Sequence, residues 1–134
     1  VTIGNDVETL ARTLWGEARG EGYEGMLAVA WVIENRRLDK RWPNTVAGVC
    51  RQKWQFSCWN EADPNRAKLV AVGLENRQFC DALQAALAVM VGDVRDMTGG
   101  ANHYLNPAAL PKLPSWYRAE AVTVTIGRHR FLKL

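Results

Sequence analysis

The chain has 134 residues, enough for one domain around a single hydrophobic core. Apolar residues make up 48% and charged residues 23%, an ordinary globular balance without repeats, linkers or low-complexity segments. The formal charge of +3 is scattered over pairs such as Arg36-Arg37, Lys40-Arg41 and Arg128/Arg130, which excludes the dense basic run of a nucleic-acid-binding tail.

Asp6 stands where it can cap a first helix over Val7–Trp15, whose Val7, Leu10, Ala11, Leu14 and Trp15 recur at helical spacing. That helix is expected to stop near Ala18 or Arg19, ahead of Gly20, so that Glu17 falls in its last turn. A second helix starts at Tyr23 or Glu24 and runs to about Asn35-Arg36-Arg37. It is apolar on nearly every side, which marks it as the central helix of the core. Its run Met26–Ile33 is too short to span a bilayer, and no membrane insertion is expected. Trp42-Pro43-Asn44 is a turn, and Asn44 or Thr45 caps a short helix over Val46–Arg51.

The stretch from Gln52 to Asn60 is too aromatic and too polar for a plain surface loop, and reads as a binding loop or short strand lining a cleft. Asp63-Pro64-Asn65 is a second turn. Helices are expected over about 66–72 and from Phe79 to Val91, the latter stopped by Gly92. From Asp96 to Pro107 the chain is turn-rich and polar, and Pro111-Lys-Leu-Pro114 is a rigid loop. Val122–Ile126 alternates like a half-buried strand, Gly127-Arg128 is a tight turn, and His129–Leu134 is the return strand. Helices followed by a small β element define an α+β domain covering residues 1–134.

Glu17 is the centre of the chemistry. A carboxylic acid at the end of a buried helix, beside Trp and Tyr, sits where desolvation raises its pKa enough for proton donation near neutral pH. Glu21 lies four residues on, and Gly20 argues against one continuous helix presenting both acids on one face. Glu21 is therefore either a second carboxylate or a structural partner of the second helix, Arg19 or Arg36. Cys50, Cys58 and Cys80 lack metal-site spacing. Either a Cys50–Cys58 disulfide or three buried thiols fits the sequence. His103 and His129 have no neighbouring cysteine, so no metal and no cofactor is expected, and His129 reads as a hydrogen-bonded structural residue.

Four stretches carry a resemblance: Glu17-Ala-Arg-Gly-Glu21, Asn35-Arg36, Gln55-Phe-Ser57, and Asp96-Met-Thr-Gly-Gly-Ala-Asn-His-Tyr104 with Ile126-Gly-Arg-His129. Together, in this order, the chain resembles the cell-wall hydrolase family of the spore-cortex-lytic enzymes, a domain also carried by phage endolysins and prophage lysis proteins. The similarity covers about residues 8–131. It implies a lysozyme-like fold, cleavage of the peptidoglycan glycan strand between N-acetylmuramic acid and N-acetylglucosamine, and Glu17 as the catalytic acid. The family's Gly-His-x-Phe-Tyr ending is replaced here by Arg128-His-Arg-Phe-Leu132.

Two reactions are open to such a site. A hydrolytic muramidase needs a second carboxylate, for which Glu21 is the first candidate and Glu24 and Asp96 weaker ones. A lytic transglycosylase needs only Glu17, and one strongly placed acid favours it. Gln55, Ser57, Trp59, His103, Tyr104 and Asn106 are the expected substrate-binding residues: amides for N-acetyl groups, Ser57 to orient Glu17 or the sugar, Tyr104 to donate to the sugar or pack beneath it. Trp54 or Trp59 is expected to stack on a sugar face. The rival from another class is a non-catalytic glycan-binding module. A monomer acting on peptidoglycan in the periplasm, released by a separate pore, completes the expectation.

Overall fold

The computed structural model describes residues 3–52 and 55–134, so the stacking expectation for Trp54 lies outside the described residues. Five helices are present among them: α1 (Ile3–Ala18), α2 (Gly22–Arg37), α3 (Val46–Arg51), α4 (Arg66–Ala71) and α5 (Arg77–Met90). Three strands, β1 (His103–Leu105), β2 (Val122–Ile126) and β3 (His129–Leu132), form one antiparallel sheet in the order β1-β3-β2. The α+β expectation is met.

Helix α2 is apolar all round because it is covered on two sides. Met26, Val29, Ala30 and Ile33 enter the main core with Leu10 and Leu14 of α1 and Ala82, Ala86 and Val89 of α5. Ala28 and Val32 face a second cluster with Ala101 and Phe131, which fastens the sheet to the helices. Each fully buried Leu, Ile or Phe in such a core contributes about 1.5–3 kcal/mol relative to exposure. The turn between α1 and α2 is a 3₁₀ segment, Arg19–Glu21, ending at Gly22 with φ 76°, a backbone conformation glycine adopts without steric cost.

Four local expectations are corrected. Helix α1 begins at Ile3, so Asp6 is not its cap. Asp6 Oδ1 instead accepts from Ala47 N at 3.0 Å and, with Thr45 Oγ1 accepting from Gly48 N, holds the start of α3. Helix α5 starts two residues before Phe79, because Asn76 Oδ1 accepts from Phe79 N. The polar stretch 96–107, read as loop, contains β1, whose three residues pair with β3 in the register His103↔Leu132, Tyr104↔Phe131, Leu105↔Arg130. The segment 55–60 carries a turn and a 3₁₀ segment, Ser57–Trp59, rather than a strand. All three cysteines are free thiols. Cys50 and Cys58 are buried, and burial pushes Cys50 up to about 12.

Candidate active site

Glu17 sits in the last turn of α1 and opens onto a cavity of about 370 Å³ lined by Glu17, Arg36, Gln55, Phe56, His103, Tyr104 and Trp116. Helix ends, the 55–59 segment and β1 therefore meet at one carboxylate. Tyr104 donates its hydroxyl hydrogen to Glu17 Oε1 at 2.9 Å, and the Cys58 thiol also hydrogen-bonds the carboxylate. Gly16 permits that second contact, since a Cβ there would stand 3.0 Å from Cys58 Sγ and Cβ.

Burial is the largest influence on Glu17 and pushes its pKa up; the bonds from Tyr104 and Cys58 pull it partly back, and the charge of Asp63 adds a further small push upward. The net result is a raised carboxyl pKa, which favours a protonated acid. Tyr104 is itself held well above an ordinary phenol by burial and by Glu17, so it remains a donor.

Arg36 organises the other wall. It is 6% exposed, stands over the rings of Trp42 and Phe56, and donates from Nε to Asn102 O (2.7 Å) and from Nη1 to Gln55 Oε1 (3.1 Å). Its neighbour Asn35 donates to Asp96 Oδ2 and to Ala101 O, both at 2.9 Å, so the end of α2 grips the whole segment leading into β1. His103 packs between Trp42 and Trp116, with ring centroids at 5.9 and 4.9 Å. Behind Tyr104 lie His129 (4.9 Å) and Phe131 (5.8 Å). The Nδ1 of His129 is buried without a hydrogen-bond partner, so stacking, rather than the hydrogen bond expected from the sequence, holds this face of the ring.

Among the predicted site residues, the fold brings Glu17, Gln55, His103 and Tyr104 to one cavity. It does not bring the others there. Ser57 is exposed, and Cys58 beside it makes the contact to Glu17 that Ser57 was expected to make. Trp59 donates from Nε1 to Thr13 Oγ1 at 2.8 Å, lies under the Arg51 guanidinium, and borders a neighbouring hollow with residues 60–64. Asn106 Oδ1 accepts from Ala108 N and caps the turn at 107–109.

Glu21 is tied to Arg128, neither to Arg19 nor to Arg36: the Arg128 guanidinium reaches Glu21 Oε2 at 2.6 Å, and Arg128 N donates to Oε1 at 3.1 Å. These bonds lower its pKa, the backbone bond most, which keeps Glu21 ionised. Asp96 accepts from Thr98, Gly100 and Asn35. Burial alone raises its pKa, but these bonds outweigh it and hold the carboxyl below its ordinary value, so Asp96 ties its own loop. Glu24 is exposed. Sequence reasoning missed the roles of Arg36, Cys58 and Trp116. The aromatic pair Trp116-Tyr117 after the rigid Pro111–Pro114 loop was the available signal for the last.

Tyr104→Phe removes the bond that lowers the Glu17 pKa. If Glu17 is the acid of a reaction in this cavity, the alkaline limb of that reaction's pH profile is expected to move to higher pH, with the maximal rate reduced by about tenfold. A pH–rate profile checks both; a limb that moves down contradicts the assignment of Tyr104 as donor.

A mainly helical α+β domain with a small antiparallel sheet is, in this arrangement, a lysozyme-like fold. The catalytic domain of the germination-specific lytic transglycosylase SleB from Bacillus anthracis superposes with a TM-score of 0.77 at 33% identity, covering 99% of this chain and 100% of that one. The catalytic domain of the Bacillus cereus SleB protein gives 0.76 at 32% identity, covering 97% and 91%. The cell wall hydrolase family profile matches residues 20–132, and the chain belongs to that family. Spore cortex-lytic enzymes of Bacillus cereus and Oceanobacillus iheyensis are 33% and 34% identical over 133 and 129 residues, in each case 96% of this chain. The chain spans less than half the length of these curated relatives, 44% and 42%.

Proposed function

We propose that the chain cleaves the glycan strand of peptidoglycan between N-acetylmuramic acid and N-acetylglucosamine as a lytic transglycosylase, with Glu17 as both acid and base. The observation that carries this reading is that Glu17, a half-buried acid whose pKa desolvation raises, is the one carboxylate among the described residues lining the cavity.

The neutral carboxyl gives its proton to the glycosidic oxygen as the bond to the muramic acid anomeric carbon breaks, because an alkoxide is a poor leaving group. The resulting Glu17 carboxylate stabilises the positive charge developing on the sugar. It then takes the proton of the muramic acid 6-hydroxyl while that oxygen bonds the anomeric carbon. A 1,6-anhydro sugar leaves, Glu17 is again protonated, and no water is consumed. The endolysin setting, with release through a separate pore into the periplasm, belongs to the same proposal.

Mass spectrometry of digested peptidoglycan tests it. Anhydro-muramyl ends are the expected result; reducing muramic acid ends establish hydrolysis instead. Glu21→Gln is expected to leave the clearing rate within about threefold, since Glu21 is tied to Arg128 and does not line the Glu17 cavity. A loss of two orders of magnitude makes Glu21 the second carboxylate of a muramidase.

A further inference from the structure

Two side chains facing the Glu17 cavity have hydrogen-bonding polarity fixed by chemistry. An arginine has only donors, so the Gln55 atom at 3.1 Å from Arg36 Nη1 is its carbonyl oxygen, and the Gln55 amide –NH₂ is the free end. Asn102 is fixed in the same way. Its Nδ2 donates to Leu134 O (3.0 Å) and its Oδ1 accepts from Leu134 N (2.9 Å), which sets the amide in one orientation. His103 Nδ1 lies 2.8 Å from that same Oδ1 and must donate to it. Burial, with the charges of Arg36 and Arg41, pushes His103 down to about 4, so the ring is neutral at working pH and Nε2 carries a lone pair.

Among the described residues, neither Gln55 Nε2 nor His103 Nε2 has a hydrogen-bond partner. Of the other polar groups of the cavity, Arg36 only donates, and Tyr104 and Glu17 are engaged with one another, the Tyr104 hydrogen being committed to Glu17 Oε1. Phe56 and Trp116 give the same cavity an apolar wall.

We infer that Gln55 and His103 form a donor–acceptor pair of fixed polarity that reads the acetamido group of the bound aminosugar, Gln55 Nε2 donating to its carbonyl and His103 Nε2 accepting from its N–H. The acetyl methyl group then meets the aromatic wall. The inference deepens the glycan-cleaving reading above and rests on it for the identity of the polymer. A free amine at this position lacks the carbonyl, so Gln55 Nε2 loses its acceptor, and lacks the methyl that meets the aromatic wall. As an ammonium it still offers an N–H to His103 Nε2, but it brings a positive charge beside Arg36.

The test compares peptidoglycan that is fully N-acetylated, chemically N-deacetylated, and deacetylated then re-acetylated. For the native protein, kcat/KM is expected to fall at least about tenfold on the deacetylated wall and to return on re-acetylation. His103→Phe keeps a ring between Trp42 and Trp116, and Gln55→Leu keeps bulk. Each is expected to shrink the preference below about threefold, mainly through KM. Equal rates of the native protein on both walls, or an undiminished preference in both variants, overturn the inference.

Nuclear magnetic resonance supplies readings that need no turnover. Glu17→Gln titrated with chitotetraose should shift the His103 and Gln55 side-chain signals, and the fully deacetylated tetramer should not. The His103 imidazole nitrogens should show the neutral Nδ1–H form at pH 6, and an Nε2–H form overturns the pair. A native protein inert on every wall whose Glu17→Gln variant still selects chitotetraose refutes cleavage and leaves the pair standing. One that clears walls without acetyl preference refutes the pair and leaves cleavage standing.

Discussion

Glu17→Gln is expected to lower cell-wall clearing by about a hundred- to ten-thousand-fold, the range over which a positioned general acid contributes. The substitution keeps the size and one hydrogen-bond acceptor for Tyr104, so lost activity with retained fold isolates proton transfer. It also has a signature in stability. Burial raises the Glu17 pKa, so the folded protein holds this proton to higher pH than the unfolded chain does. The ionised form is thus disfavoured by folding: the penalty is absent below the unfolded pKa, grows as pH rises through the interval up to the folded value, and is complete above it. Gln cannot ionise. The variant should melt at a higher temperature than the native protein at neutral pH, and the difference should shrink as pH falls below the ordinary glutamate range. Thermal melts across pH and a turbidity assay read the two effects together. Full clearing by Glu17→Gln refutes the acid assignment. A native protein that binds walls tightly and never clears them is the glycan-binding module.

The second large effect is structural. Phe131→Ala is expected to cost about 3–5 kcal/mol, the range for emptying a buried aromatic site. Phe131 is 0% exposed and packs with Ala28, Val32 and Ala101 where the sheet meets α2. Domains of this kind have total stabilities of about 5–15 kcal/mol. The loss should lower the melting temperature by roughly 10–20 °C and bring a fraction of the molecules near unfolding. Because Phe131 also backs Tyr104, with ring centroids 5.8 Å apart, activity should fall at temperatures well below the melt. Phe131→Leu refills most of the space and should recover most of the stability. A cost under about 1 kcal/mol for Phe131→Ala would mean that the site collapses around the gap.

The helical half of the fold was legible because its signals are local. Leu10, Leu14, Met26 and Ile33 repeat at helical spacing, and Gly20 and Gly22 mark the break that the backbone makes. Strand β1 was not legible. Three residues carry no alternation to read, and what makes them a strand is the backbone of β3 some thirty residues later. The site divides along the same line. Glu17, Gln55, His103 and Tyr104 stand in motifs whose residue types already suit sugar chemistry. Cys58 in place of Ser57 depends on which side of a 3₁₀ turn faces α1, and the pairing of Glu21 with Arg128 joins positions 107 apart in sequence. Asn106 shows the converse: its residue type suited a ligand, and a two-residue backbone reach used it up.

The grip of Asn102 on Leu134 ties the backbone two residues beyond β3 to a ring that faces the cavity. Both ends of one amide are spent on one residue, so displacing the Leu134 backbone frees the amide to rotate and leaves the imidazole able to carry its hydrogen on either nitrogen. Leu134, which does not touch the cavity, is in this sense a remote tuner of what the pocket can accept.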